Sequence, residues 1–177
     1  MSDPTVSNPF GVLSEPATLM IQRILPGPVE LVWLALTESE LRRHWLAAGE
    51  MELKLGAAFE LVWRNDELTD PSRERPPGFA HEHRMWARIT ELHPPHKLSF
   101  TWEGSGEVSF DLEPRGSKVL LTVTHRGLIE QGTRLGVSAG WHMHLDILVV
   151  RAGGHEPEPF WDGWLRLKQE YARRLAA

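Results

Sequence analysis

No cysteine occurs among the 177 residues. Disulfides, thiolate metal sites and cysteine nucleophiles are excluded, and the composition fits a reducing, cytoplasmic setting. No segment approaches the roughly 18 apolar residues of a membrane-spanning helix. The first 16 residues hold four Pro or Gly and no apolar run, which is not the layout of a signal peptide. Basic charge is in deficit: 19 Lys and Arg stand against 24 Asp and Glu, a net charge of −5. Nothing there would neutralise a phosphate backbone, so neither a nucleic-acid partner nor membrane insertion is expected. Tyrosine occurs once, whereas tryptophan occurs eight times. So many large, one-donor rings point to a heavy core or an aromatic-lined cavity.

The apolar pattern changes period along the chain. Residues 1–16 read as a flexible arm and residues 17–25 as a first strand. Pro28 suits the start of a helix whose face is Val29, Val32, Trp33 and Leu36. Thr37 and Glu40 have capping-box spacing for a second short helix carrying Leu41 and Trp45. From Gly49 the period drops to two. Met51/Leu53, Phe59/Leu61/Trp63, Met85/Ala87/Ile89, Leu98/Phe100/Trp102, Val108/Phe110/Leu112 and Val119/Leu121/Val123 alternate with polar positions, joined mostly by short turns. This predicts an antiparallel meander. The exception is a long polar loop at 64–80, read as a solvated turn cluster or as a lid at the cavity mouth where Trp63 ends its strand; deleting 68–76 is expected to leave folding intact. After Gly127 the period lengthens again. Val137, Trp141, His144, Leu145 and Leu148 share one helical face, and Gly153-Gly154 ends that helix. A last helix carries the stripe Phe160, Trp164, Leu167, Tyr171 and Leu175. The order predicts an α+β chain with a curved antiparallel sheet of six or seven strands wrapped around a long C-terminal helix. The expected divisions are an arm at 1–16, a domain at 17–153 and a helical extension at 154–177.

These residues resemble a known family. The stretch Arg23 to Thr37 (RILPGPVELVWLALT) with Leu41 to Trp45, the segment Ile89 to Trp102 (ITELHPPHKLSFTW), the hairpin Val108 to Gly127, and Gly140-Trp141 with Leu145 to Leu148 are similar to the START/Bet v 1-like (SRPBCC) superfamily. Within it they resemble the homologues of the activator of the ninety-kilodalton heat-shock chaperone's ATPase. The resemblance implies a helix-grip fold and a hydrophobic cavity between sheet and long helix. Members bind lipids, sterols and polyketides or act on such molecules. It therefore implies binding of a small hydrophobic or amphipathic ligand. A second reading is a stress-response, chaperone-associated interaction module with a chaperone partner and a plain filled core. A third is a cyclase- or hydrolase-like enzyme using cavity histidines.

On the carrier reading the inward strand positions and the long helix supply the ligand-binding residues. The candidate wall is Trp45, Phe59, Trp63, Met85, Trp102, Phe110, Trp141 and Leu145, with His83, His125 and His144 as polar tuning groups. Met85 and Trp86 have opposite parity, and the sequence leaves open which of them faces inward. No nucleophile–base pair is fixed by spacing, so no catalytic residue is assigned. His81 and His83 share a strand face, and His83, His125 and His144 could converge. Zinc wants three or four ligands and no acidic or thiol partner accompanies them, so no metal or cofactor is expected. The aromatic stripe of the last helix must be covered, by its own domain or by a second copy in a homodimer.

Overall fold

The computed structural model describes residues 5, 6, 8–15, 17–69 and 75–175. Strands β1 (Val12–Glu15) and β2 (Thr18–Pro26) lead into helices α1 (Val29–Thr37) and α2 (Ser39–Arg42). Five strands follow: β3 (Ala58–Trp63), β4 (His83–His93), β5 (Lys97–Trp102), β6 (Gly106–Arg115) and β7 (Lys118–Arg126). Helices α3 (Gln131–Ala152) and α4 (Phe160–Arg174) close the chain. The strands form one antiparallel sheet in the order β1-β2-β7-β6-β5-β4-β3. This is the α+β architecture that the change of period implies.

Period two sorts the strand residues onto two faces. Leu19, Ile21 and Leu25 of β2, Val119, Leu121 and Val123 of β7, and Val108, Phe110 and Leu112 of β6 are all buried on the concave side. Register places Phe110 opposite Val123, and Val123 opposite Ile21, so the buried rows run straight across the strands. Met85 is 2% exposed and Trp86 67% exposed, which settles the parity of β4. Helix α1 buries Val29, Val32, Trp33 and Leu36, the face expected from the 3.6-residue period.

Several local expectations are corrected. Thr37 ends α1 instead of capping α2: its hydroxyl donates back to the carbonyl of Trp33 at 2.9 Å. A threonine at a helix end satisfies an intrahelical carbonyl as readily as it caps the next helix. Leu41 is 48% exposed, and Arg42 occupies the buried position beside it. Met51 and Leu53 lie outside any strand, and the sheet resumes only at Ala58. Residues 70–74 of the expected polar loop lie outside the described residues. Leu68 and Thr69 before them are buried. Arg151 donates to the Leu68 carbonyl, and Thr69 Oγ1 accepts the Phe160 backbone N–H at 3.0 Å. This part of the loop anchors the start of α4.

Of the expected flexible arm, residues 1–4, 7 and 16 lie outside the described residues. Val12–Glu15 pair with β2 as an edge strand. A buried polar network fastens the residues just before. Tyr171, fully buried on α4, accepts the Gly11 N–H at 2.7 Å and lies 2.9 Å from His142 Nδ1. His142 Nε2 lies 3.3 Å from Asp146, which also receives Arg23. Burial alone would raise the Asp146 pKa, but His142 and the Arg23 charge overcome that and lower it. Phe10 packs on both His142 and Tyr171, with the Arg174 guanidinium over its other side.

Candidate functional site

Three strands end together at one rim of the sheet. Trp63 closes β3 and faces His83, which opens β4. Trp102 closes β5, its ring 5.5 Å from Trp63 and 6.0 Å from Trp141 of α3. Opposite this rim stand Gly136, Gly140, Trp141 and His144 on one side of α3. The first turns of α4 add Phe160, Trp161 and Trp164. Residues 78–81 form the third wall, where Phe79 lies 5.0 Å from both Trp161 and Trp164. Between the walls is a cleft of about 410 Å³. That volume and its aromatic surface match a small-molecule pocket.

Three of the five indole N–H groups around the cleft, those of Trp141, Trp161 and Trp164, are satisfied by the protein. Trp161 donates to Asp66 at 2.7 Å, Trp164 to the Gly136 carbonyl at 3.2 Å, and Trp141 to His125 Nδ1 at 3.0 Å. Indole has one donor, so these rings offer only apolar surface to an occupant. Polar groups on the wall are few. His144, 5% exposed, has Nδ1 2.8 Å from the Trp45 carbonyl oxygen. A carbonyl only accepts, so Nδ1 carries the proton. Burial pushes the His144 pKa down to about 4, against the opposing pull of the Trp45 carbonyl. The ring is neutral at physiological pH, and Nε2 is a bare acceptor. Asn65 lines the same cleft, and its Oδ1 is buried without a hydrogen-bond partner. No Lys, Arg, Asp or Glu lines the cleft among the described residues. Nor does any group of three or more His, Asp or Glu among them come close enough to hold a metal ion.

Behind the wall, His125 is 1% exposed. It accepts the Trp141 N–H at Nδ1, which sets the tilt of that ring. Burial lowers its pKa to about 4. In the unfolded chain both histidines take up protons near the ordinary value of about 6.5. Between about pH 6.5 and pH 4 the unfolded state therefore binds more protons. Stability is complete above that window and falls as pH drops through it, by up to about 1.4 kcal/mol per pH unit per histidine. Urea unfolding at stepped pH should show this decline. A flat profile down to about pH 5 would mean that neither ring is protected from solvent.

Of the residues expected to contact a ligand, Trp63, His83, Trp102, Trp141 and His144 come together at the cleft. Trp45, Phe59, Met85, Phe110, His125 and Leu145 do not reach its wall; they are buried behind it. Phe59 packs on Phe100 at 5.5 Å, Phe110 on Trp141 at 5.8 Å, and the Trp45 N–H donates to the Ala35 carbonyl. The concave face is filled along most of its length, and only the ends of β3, β4 and β5 meet the cleft. Sequence reasoning missed the two α3 glycines and the α4 aromatics, and it reached Asn65 and Phe79 only as members of the loop at 64–80. Their one sequence signal is Gly136 and Gly140 at helical spacing inside a long helix, where glycine is unfavourable. The α4 stripe is buried within the chain against α3 and residues 66–69, the first of the two covers expected for it. No helix among the described residues is long and apolar enough to cross a membrane.

Residues 26–153 match the family model described as Activator of Hsp90 ATPase homolog 1-like protein. Among solved structures, the solution structure of a Bordetella parapertussis protein is 32% identical, covers 98% of this chain and 95% of its own, and superposes with a TM-score of 0.76. The crystal structure of CalU16 from Micromonospora echinospora is 24% identical, with 90% and 86% covered and a TM-score of 0.62. A conserved protein of unknown function from Enterococcus faecalis is 19% identical, with 92% and 87% covered and a TM-score of 0.68. The last two share the fold alone. No curated protein matches the chain.

Proposed function

We propose, from the premise that this chain belongs to the Activator of Hsp90 ATPase homolog 1-like family, that it binds a small hydrophobic or amphipathic molecule in the cleft between the sheet rim and helices α3 and α4. The cleft itself carries this reading: about 410 Å³ of open space faced by tryptophan and phenylalanine rings. A plain core closes such space, because interiors pack nearly as densely as organic crystals. Apolar surface moved from water into the cleft contributes roughly 25 cal/mol per Å². A ligand burying about 300 Å² thus gains about 7 kcal/mol before the costs of association. That is enough for reversible holding and for release to a tighter acceptor.

Native mass spectrometry of freshly purified protein is the direct test. The expected spectrum has a discrete added mass that disappears on denaturation, together with quenching of tryptophan emission when apolar aromatic compounds are titrated in. A bare mass, with emission unmoved by every compound, would end the carrier reading.

A further inference from the structure

We infer that the segment Asn8–Gly11 is an acid-released strap: it closes over helices α3 and α4 through the neutral form of His142, and protonation of that ring opens it. None of the residues involved lines the cleft, so the strap is independent of any ligand held there.

The strap is held at two points. The Gly11 N–H donates to Tyr171 Oη at 2.7 Å, and the Pro9 carbonyl accepts Arg23 Nη1 at 2.7 Å. Both holds lead to His142 and Asp146. Tyr171 Oη lies 2.9 Å from His142 Nδ1, His142 Nε2 lies 3.3 Å from Asp146 Oδ2, and Arg23 donates to Asp146 Oδ1. Donor counting fixes each proton. A carboxylate only accepts, so His142 carries its hydrogen on Nε2. Nδ1 of the neutral ring is then a lone pair, and the tyrosine hydroxyl donates to it. The hydroxyl oxygen is left to accept Gly11.

A second proton on His142 breaks this pattern. The Nδ1–H and the Tyr171 O–H would point at each other. The hydroxyl would have to turn away, yet Tyr171 is fully buried and has no further hydrogen-bond partner among the described residues. A buried donor without a partner is unfavourable by about 1–3 kcal/mol. Lifting the strap admits water to the hydroxyl and removes that loss, so acid favours the open form. The charges around His142 oppose one another. Asp146 on α3 and Glu158 before α4 favour an imidazolium. Arg23 on β2 and Arg174 on α4, which lies over the Phe10 ring, disfavour it. Arg166 is paired with Glu158, and Arg174 with Glu170. The direction of the tyrosine proton is the element that a second imidazole proton reverses.

Hydrogen exchange of the Gly11 amide reads the strap in the full chain. Its protection is followed by NMR from about pH 8 to about pH 5, the range in which histidine changes charge, and corrected for the intrinsic rate. Protection is expected to fall at least about tenfold as pH drops, which is one lost hydrogen bond. In Tyr171→Phe it should be low throughout, because the acceptor is gone. In His142→Gln, whose amide takes up no proton, it should not vary with pH. His125 and His144 remain in both variants. A pH dependence that survives His142→Gln therefore belongs to them, and the strap is then not proton-controlled. Nitrogen-15 spectra of the wild type need no variant: at about pH 8 the His142 ring hydrogen should sit on Nε2. A hydrogen on Nδ1, or Gly11 protection that holds down to about pH 5, would equally overturn the strap.

Discussion

Replacing Arg42 with Met is expected to destabilise the fold by at least about 4 kcal/mol. Arg42 is 1% exposed. Its Nε donates to the Ala47 carbonyl at 3.0 Å, Nη1 to Leu36 at 3.1 Å and Thr37 at 3.3 Å, and Nη2 to Gly49. Leu36 and Thr37 carry carbonyls at the open end of α1, which have no partner within the helix. Ala47 and Gly49 belong to the chain that turns from α2 toward β3. One guanidinium thus satisfies two backbone segments at once. Burial lowers its pKa to about 10, with Glu50 and Glu38 pulling the other way, so it stays charged at pH 7. Methionine fills similar volume but leaves four carbonyls without a donor, each unfavourable by about 1 kcal/mol or more. Arg42→Lys should recover only part of the loss, since an ammonium has three donors and no planar fork. Urea unfolding of the wild type and both variants measures this. A loss under about 1 kcal/mol for Arg42→Met would show that water reaches these carbonyls.

That clamp was invisible in the sequence, and its neighbourhood shows why. Thr37-Glu38-Ser39-Glu40 carries the local signature of a capping box, and local chemistry alone favours it. The tertiary need for a donor between α1 and β3 turns the corner around Arg42 instead. Elsewhere local signals were sufficient. The strand residues alternate so regularly that β4 to β7, and the inward faces of β5 to β7, follow from period two, and the topology follows from the short turns between them. Helix α3 was only half legible. The stripe Trp141, Leu145 and Leu148 faces the sheet, but Met143 is also buried, in contact range of Gly163 on α4. A helix covered on two sides has no single apolar face for a pattern to reveal.

The site was legible by kind and not by place. Parity identifies Phe59 and Phe110 as inward just as firmly as Trp63 and Trp102. What separates core from cleft is where each strand stops relative to the helices above it, and no periodicity encodes that. The α4 aromatics show the converse: their burial was legible, their partner was not. Trp161 reaches Asp66 and Trp164 reaches Gly136, contacts that span 95 and 28 residues of chain.

The substitution Gly140→Leu is expected to weaken ligand binding at least about a hundredfold without loss of stability. Glycine inside a helix is less favourable than alanine by about 1 kcal/mol, and α3 carries two on the wall of the cleft, Gly136 and Gly140. Backbone conformation does not demand them, since both sit in regular helix. Nor does close packing: a Cβ at Gly136 would lie 3.8 Å from Trp164 Cζ2, and one at Gly140 4.0 Å from Trp164 Nε1, ordinary contact distances. What the pair preserves is open space. Gly136→Ala with Gly140→Ala should therefore raise stability by about 1–2 kcal/mol while narrowing the cleft. Leucine at 140 would put an aliphatic side chain into the space that the cleft keeps open, with helix propensity again improved over glycine. Thermal unfolding and titration of the same samples with an apolar aromatic compound, followed by tryptophan emission, read the two effects separately. Stability gained as binding is lost is the pattern of a site kept open at the expense of the fold. Leucine tolerated with binding unchanged would place the ligand elsewhere, and leucine unfolding the protein would mean that the space beside Trp164 is already needed by the core.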